Sequence, residues 1–315
     1  MSRHSRILAT GSYLPTRVLS NHDLAQQVDT SDEWIKTRTG ISQRHIAAAD
    51  ETIVDMAYHA AQEAITHSNI DAVAIDLIVC ATATHQTPFP SAACLLQNRL
   101  GIKHCIAMDV SAACSGFMYA MQVADLHIKQ GAARRALIVG AEKMSAITDW
   151  RDRSTCVLFG DGAGAMVLEG STDVGIIATK LHSDAQYHDL LYVDNTIPTK
   201  PAIKMQGNAV FKVAVNKLAE TLQSALREHG MSADDLDWLV PHQANYRIIK
   251  QVCDKVAIPL DRVVMTVGQH GNTSAASIPL AFDTAVQNNQ IKRGQVILME
   301  SFGAGFTWGS ALVKY

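Results

Sequence analysis

Ile75-Asp-Leu-Ile-Val-Cys-Ala81 is a short apolar run, and Leu236-Asp-Trp-Leu-Val-Pro-His242 restates it far downstream. Runs of this kind read as strands buried on both faces. After the first, residues 89–100 read as a helix and Ala107-Met-Asp-Val110 as a short strand. Cys114 to Gln130 turns helical, with Phe117, Met121, Ala124 and Ile128 near one face, and Ala136-Leu-Ile-Val-Gly140 returns as a strand. Buried strands alternating with covering helices make a layered α/β organisation. The second half echoes the first in order. Ile128-Lys-Gln-Gly131 has its counterpart in Ile291-Lys-Arg-Gly294, each followed by an apolar strand. Gly160-Asp-Gly-Ala-Gly-Ala-Met-Val-Leu168 has a looser one in Gly303-Ala-Gly-Phe-Thr-Trp-Gly-Ser-Ala-Leu-Val313. The expectation is an internally duplicated α/β chain with halves at 1–170 and 171–315, packed around an approximate two-fold axis so that their strand ends meet. Residues near 170–230 carry the least pattern, although Phe211 to Leu226 reads as an amphipathic helix.

The 315 residues are 48% hydrophobic and 18% charged, a balance that favours a large core over disorder. A formal net charge of −3 offers no overall field for nucleic acid or an anionic membrane, so an acidic partner would need a local basic patch. No run approaches a membrane span. The start, Met1 to Arg6, leads into too short an apolar stretch for a signal peptide, and a cytoplasmic location is expected. No pair among the six cysteines has CxxC spacing, so neither a redox dithiol nor a metal site is indicated. Cys80, Cys94, Cys105, Cys156 and Cys253 read as buried small hydrophobes.

Cys114 differs. It sits in Val110-Ser-Ala-Ala-Cys-Ser-Gly-Phe117, where small neighbours leave space beside the sulfur, between a short strand and a helix. Free backbone N–H groups and the positive helix end there favour the nucleophilic thiolate. Two polar islands lie downstream, His242-Gln-Ala-Asn245 and Gly268-Gln-His-Gly-Asn-Thr-Ser-Ala-Ala-Ser277. A thiol, an imidazole and the Asn272 amide are equipment for forming a thioester and stabilising negative charge beside it. Each has an ordinary reading too: a packed thiol, a histidine satisfying a strand end, a turn-forming asparagine. Gly160, Gly162 and Gly164 lack the Lys-Ser/Thr ending of a P-loop and read as packing or turn glycines.

In combination these motifs resemble the thiolase superfamily, and within it the β-ketoacyl-acyl carrier protein synthase III family of initiating condensing enzymes. The resemblance spans nearly the whole chain. It takes in Asp29-Thr-Ser-Asp-Glu-Trp-Ile35, Arg38-Thr-Gly-Ile41, Phe89-Pro-Ser-Ala-Ala93 and the Cys114 turn. It continues through Phe159-Gly-Asp-Gly-Ala-Gly-Ala165, Gly207-Asn-Ala-Val-Phe-Lys212, His242-Gln-Ala-Asn245, His270-Gly-Asn-Thr-Ser274 and Ser301-Phe-Gly-Ala-Gly-Phe-Thr-Trp-Gly309. It implies a thiolase-like α-β-α-β-α layered fold and a homodimer. The activity implied needs no cofactor: Cys114 accepts a short acyl primer from coenzyme A, and a malonyl group on acyl carrier protein then loses carbon dioxide and attacks it. His242 and Asn272 would hold the enolate oxygen, and the backbone N–H groups of Cys114 and Ala304 the oxyanion.

The same resemblance assigns Trp34 and Arg153 to a sandwich around the coenzyme A adenine, and Thr30, Arg38, Gly207 and Asn208 to its pantetheine or phosphate end. Phe302 guards the cysteine, and Phe89 reaches across the dimer to limit the acyl pocket. Lys212, Arg247, Lys250 and Lys255 form the patch for the acidic carrier protein. Ala304 stands where some relatives have glycine, and Asp254 where some have a basic residue. Alternatives are a related condensing enzyme or acyltransferase of secondary metabolism, a cysteine hydrolase, and a non-catalytic interaction protein.

Overall fold

The structure is a computed structural model and describes residues 4–196 and 201–315; the first three residues of the N-terminal segment read above lie outside the described residues. The strand expected at 75–81 forms over Leu77–Ala81 and is fully buried along its length. It pairs in parallel with Ile106–Val110 on one side and Arg135–Lys143 on the other. Asp161–Ser171 and His4–Tyr13 extend this sheet antiparallel, giving five strands. The second sheet repeats the pattern. Trp238–Pro241 pairs in parallel with Val296–Gly303, and Thr307–Lys314 and Ile176–Ser183 follow antiparallel. The place taken by Ile106–Val110 in the first sheet shrinks in the second to one parallel bridge between Leu239 and Val263.

Alternation along these strands builds the layers. Leu77, Val79 and Ile138 face one way, with Phe117 and Met121 of the helix Gly116–Lys129 and Phe282 of the helix Ser277–Gln287. Val240, Ile297 and Met299 of the second sheet close on the same helices from the other side. Ile78, Cys80, Leu137 and Val139 face outward under the helices Ile53–Ser68 and Ala92–Arg99. Leu239 and Leu298 lie under Gly207–Glu228 and Tyr246–Val256. The result is helix, sheet, paired helices, sheet, helix. The expected helix face of Phe117, Met121, Ala124 and Ile128 is fully buried in the central layer.

Gly164 belongs to this packing, because a Cβ there would meet the Leu280 nitrogen at 2.7 Å. Two cysteines depart from expectation. Cys94 is exposed and Cys105 partly so. On Ala92–Arg99 the buried positions are Ala92, Ala93 and Leu96, which turns Cys94 to the opposite face.

Candidate active site

Cys114 lies in a single turn, Ala113–Ser115, that runs directly into the central helix Gly116–Lys129. Ala113 takes a left-handed conformation, φ 45°, which a side chain rarely adopts. The C-terminal strands hold this turn. Ser301 Oγ donates to the Cys114 carbonyl at 2.7 Å, Thr307 Oγ1 donates to the Ala112 carbonyl at 3.0 Å, and Ser115 Oγ donates to the Thr307 carbonyl at 2.8 Å. A matching turn, Ser274–Ala276, opens the other central helix, with Ser274 at φ 49°. The two turns pack together: a Cβ on Gly116 would lie 3.6 Å from that of Ala275.

Asn272 leads into the second turn. Its N–H donates to the Leu158 carbonyl at 2.9 Å and its carbonyl accepts from Gly160 at 3.1 Å, which ties the loop to the first half of the chain. Oδ1 accepts from the Ser274 N–H at 2.9 Å, so the amide nitrogen faces away from that contact as a donor. His242 follows the strand Trp238–Pro241. Its Nδ1 lies 2.9 Å from Ser277 Oγ, and that oxygen accepts the Gln243 N–H at 2.7 Å. Ser277 keeps its hydrogen available for Nδ1, an arrangement that assigns the ring hydrogen to Nε2.

Cys114, His242, Asn272 and Phe302 share one cavity of about 360 Å³. His242, Asn272 and Phe302 form its buried end. Arg38, Gly207, Asn208 and Arg247 are exposed lining residues toward solvent, beside the half-buried Trp34. Trp34 and Arg38 come from one helix, Asp32–Thr39, four residues apart and therefore on one face.

Other predicted residues lie outside this cavity. Thr30 does not line it, and its hydroxyl is buried without a hydrogen-bond partner among the described residues. Arg153 also stands outside the lining: its guanidinium carbon lies 4.9 Å from the Trp34 ring centroid, and Nη1 donates to the Asp29 carbonyl at 2.7 Å. The expected sandwich is therefore closed on itself here, with no third ring's width between the two groups. Phe89 is 83% exposed and touches no part of its own chain's cavity. Phe302 packs on Phe306, ring centroids 4.6 Å apart.

On the face beside Arg247, Lys212 is exposed. Lys250 instead pairs with Asp254 at 2.6 Å, and Lys255 donates to Asn216 at 2.7 Å. The acidic residue at 254 thus neutralises one of the four expected charges. Ala304 is not among the residues with positive φ; Gly305 takes that conformation, at φ 134°. A methyl at 304 is compatible with the loop.

Electrostatics correct one expectation. Burial pushes the Cys114 thiol up to about 11, and the nearby Glu142 carboxylate adds to the rise. The Ser274 side chain and the cysteine's own backbone pull it down, and burial outweighs them. Among the described residues no group of three His, Cys, Asp or Glu side chains is placed to hold a metal ion. Burial holds both His242 and His270 down to about 4, with His45 contributing at His270. Their folded values lie below the ordinary 6.5, so the unfolded chain binds more protons as pH falls. Stability present above about 6.5 is then lost through the window down to about 4. Two such sites steepen acid unfolding by up to about 2.7 kcal/mol per pH unit. Urea midpoints measured across that window are expected to fall accordingly, with a shallower fall in His270→Gln.

Two mixed sheets around paired helices, with a cysteine turn from one and histidine and asparagine loops from the other meeting in one cavity, define a thiolase-type fold. Residues 108–185 match the family described as 3-oxoacyl-[acyl-carrier-protein] synthase III, and residues 226–315 match its C-terminal region. The β-ketoacyl-[acyl-carrier-protein] synthase III of Methylococcus capsulatus is 55% identical over 321 residues, covering 100% of both chains. The crystal structure of 3-oxoacyl-[acyl-carrier-protein] synthase III from Aquifex aeolicus superposes with a TM-score of 0.96 at 48% identity, over 99% of this chain and 100% of that one. The priming β-ketosynthase of the R1128 polyketide pathway gives 0.95 at 37%, over 99% and 96%. The chain belongs to the 3-oxoacyl-[acyl-carrier-protein] synthase III family.

Sequence reasoning passed over three residues with placed contacts. Ser277 and Ser274 were within a quoted motif but unassigned. Glu142 follows the buried strand run Ala136–Gly140 in sequence, and a carboxyl continuing so apolar a run is the signal that points to it.

Proposed function

We propose that Cys114 takes a short acyl group from acyl-coenzyme A and that His242 and Asn272 hold the enolate formed when a malonyl group on acyl carrier protein loses carbon dioxide. The enolate carbon attacks the acyl-Cys114 carbonyl, and a β-ketoacyl carrier protein leaves. The enzyme is an acyltransferase that initiates fatty acid synthesis. The observation supporting this residue assignment is the single cavity that joins the half-buried Cys114 and two neutral donors to an exposed, cationic opening. No base is required at carbon, because decarboxylation supplies the electron pair. The N–H groups of Cys114 and Ala304 receive the tetrahedral oxyanion.

Coenzyme A lies along Trp34, Arg38, Gly207 and Asn208. Its adenine enters beside Trp34 when Arg153 swings off the ring, since a purine stacks between an aromatic and a guanidinium. Thr30 completes the phosphate end. Lys212 and Arg247 capture the carrier protein, with Lys250 and Lys255 secondary because their charges are engaged. The working unit is a cytoplasmic homodimer. In it each exposed Phe89 caps the partner's acyl pocket, and residues 1–170 and 171–315 of each chain form the two halves of the site.

Mass spectrometry after incubation with acetyl-coenzyme A is expected to find one acetyl group on Cys114. Addition of malonyl-loaded carrier protein then discharges it as β-ketoacyl product, and Cys114→Ala gives neither. A wild-type chain that yields product without an acyl-Cys114 overturns the assignment. The 37% identity to a polyketide priming enzyme supports a second reading, a primer for secondary metabolism. A panel of acyl-coenzyme A primers separates the two by which acyl chain is consumed fastest.

A further inference from the structure

A thiol pushed up to about 11 needs a proton acceptor before it can attack, and an imidazole whose Nε2 bears hydrogen is not one. His242 Nδ1 is engaged by Ser277 Oγ at 2.9 Å, and in the tautomer that holds an enolate oxygen its Nε2 carries the hydrogen. The turn that begins at Ser274 offers another route. Ser274 opens the turn that packs on the Cys114 turn; its side chain bears on the thiol and its hydroxyl donates to Glu142 Oε1 at 3.0 Å. Glu142 is completely buried at the end of the strand Arg135–Lys143. Its Oε2 accepts from Thr84 Oγ1 at 2.6 Å, from the Ala83 N–H at 3.1 Å and from Thr82 Oγ1 at 3.3 Å. Among the described residues no cation pairs with it: neighbouring Lys143 sends Nζ to the carbonyls of Ala48, Ala49 and Glu51. Its charge also acts on Cys80, a buried thiol held protonated.

We propose that Ser274 and Glu142 form a buried proton relay for Cys114, in which Glu142 stores the thiol proton for as long as the enzyme carries its acyl group. The idea rests on the acyl-transfer reading above. As the sulfur bonds to the acyl carbon, its proton passes to Ser274 Oγ while the Ser274 proton passes to Glu142 Oε1. The bond from acyl carbon to coenzyme A breaks, and coenzyme A leaves as the thiolate, to be protonated by solvent. When the enolate carbon later displaces the Cys114 sulfur, the proton returns by the same path and Glu142 is again a carboxylate. The pair holds one negative charge beside the free thiol and none in the acyl-enzyme, where the thioester and the protonated Glu142 are both neutral. A second is never added, which is what makes a desolvated pair workable.

Glu142→Gln preserves shape and removes the acceptor, and Ser274→Ala removes the bridge while keeping the Ser274 N–H on Asn272. Two rates are followed from pH 6 to pH 10: single-turnover acylation by acetyl-coenzyme A and alkylation of Cys114 by iodoacetamide. Each variant is expected to be about 10²-fold slower than wild type at pH 7 and to recover as hydroxide replaces the relay at high pH. Glu142 acting only through repulsion predicts the reverse, faster alkylation in Glu142→Gln at pH 7, and either that or unchanged rates overturns the relay. Where Glu142→Gln does not fold, Ser274→Ala alone decides on the same criteria. Alkylation needs no acyl donor, so a failure of the acyl-transfer reading leaves this test standing.

Discussion

Asn272→Ala and His242→Ala are each expected to cut β-ketoacyl formation by about 10²- to 10³-fold while acylation of Cys114 falls by less than about tenfold, because a fixed donor aimed at developing charge typically supplies about 3–4 kcal/mol. The asymmetry follows from which atoms are free. Oδ1 of Asn272 is committed to the Ser274 N–H and Nδ1 of His242 to Ser277, so what each presents to the cavity is a hydrogen-bond donor. A donor pair serves an enolate oxygen and has no comparable part in thioester exchange at Cys114. Asn272→Asp, nearly isosteric, is expected to lose more than Asn272→Ala, since it sets a negative charge against another. The imidazole is neutral down to about 4, so condensation should show no acid limb near 6.5 from His242. Rapid-quench measurement of the two half-reactions across pH checks both statements. Equal loss in both halves, with unchanged melting, overturns the division of roles.

The layered fold was legible because its signals are local. Leu77–Ala81 is apolar at every position, as a strand covered on both faces must be, and the helix at 116–129 shows its 3.6-residue repeat. The echo between halves was legible for the same reason, except where the second copy lost its pattern. The counterpart of Ile106–Val110 survives as a single bridge at Val263, and nothing in the local sequence marks it as a strand. The strands Ile176–Ser183, Leu191–Asp194 and Ala202–Met205 fall in the stretch that showed least pattern, being only partly buried. In the candidate site, Cys114, His242 and Asn272 stood out as polar residues among small ones. What could not be read was partnership. Glu142, Ser274 and Cys114 are distant in sequence and meet only through the packing of two turns. The pairing of Lys250 with Asp254, at helical spacing, was within reach of the sequence.

Gly303→Ala is expected to abolish most activity, by about 10²-fold or more, and to lower stability by about 1–3 kcal/mol. A Cβ at 303 would lie 2.7 Å from the Cys114 nitrogen and 3.1 Å from both the Cys114 Cβ and the Ser115 nitrogen. None of these is the far end of a flexible side chain. The cysteine turn is also fixed by the bonds from Ser301 to the Cys114 carbonyl, from Thr307 to the Ala112 carbonyl and from Ser115 to the Thr307 carbonyl. To admit one methyl group, either the turn or the end of the strand Val296–Gly303 has to move. Both choices displace the Cys114 N–H from the position at which it would meet an oxyanion. The adjacent Ala304→Gly supplies the contrast. Residue 304 needs no positive φ, so that change should leave acylation near wild type and shift stability by under about 1 kcal/mol. Paired measurements of acyl-Cys114 formation and thermal melting on the two variants test the argument. A Gly303→Ala enzyme that acylates at the wild-type rate would mean that the strand and the turn do not approach as closely as this geometry requires.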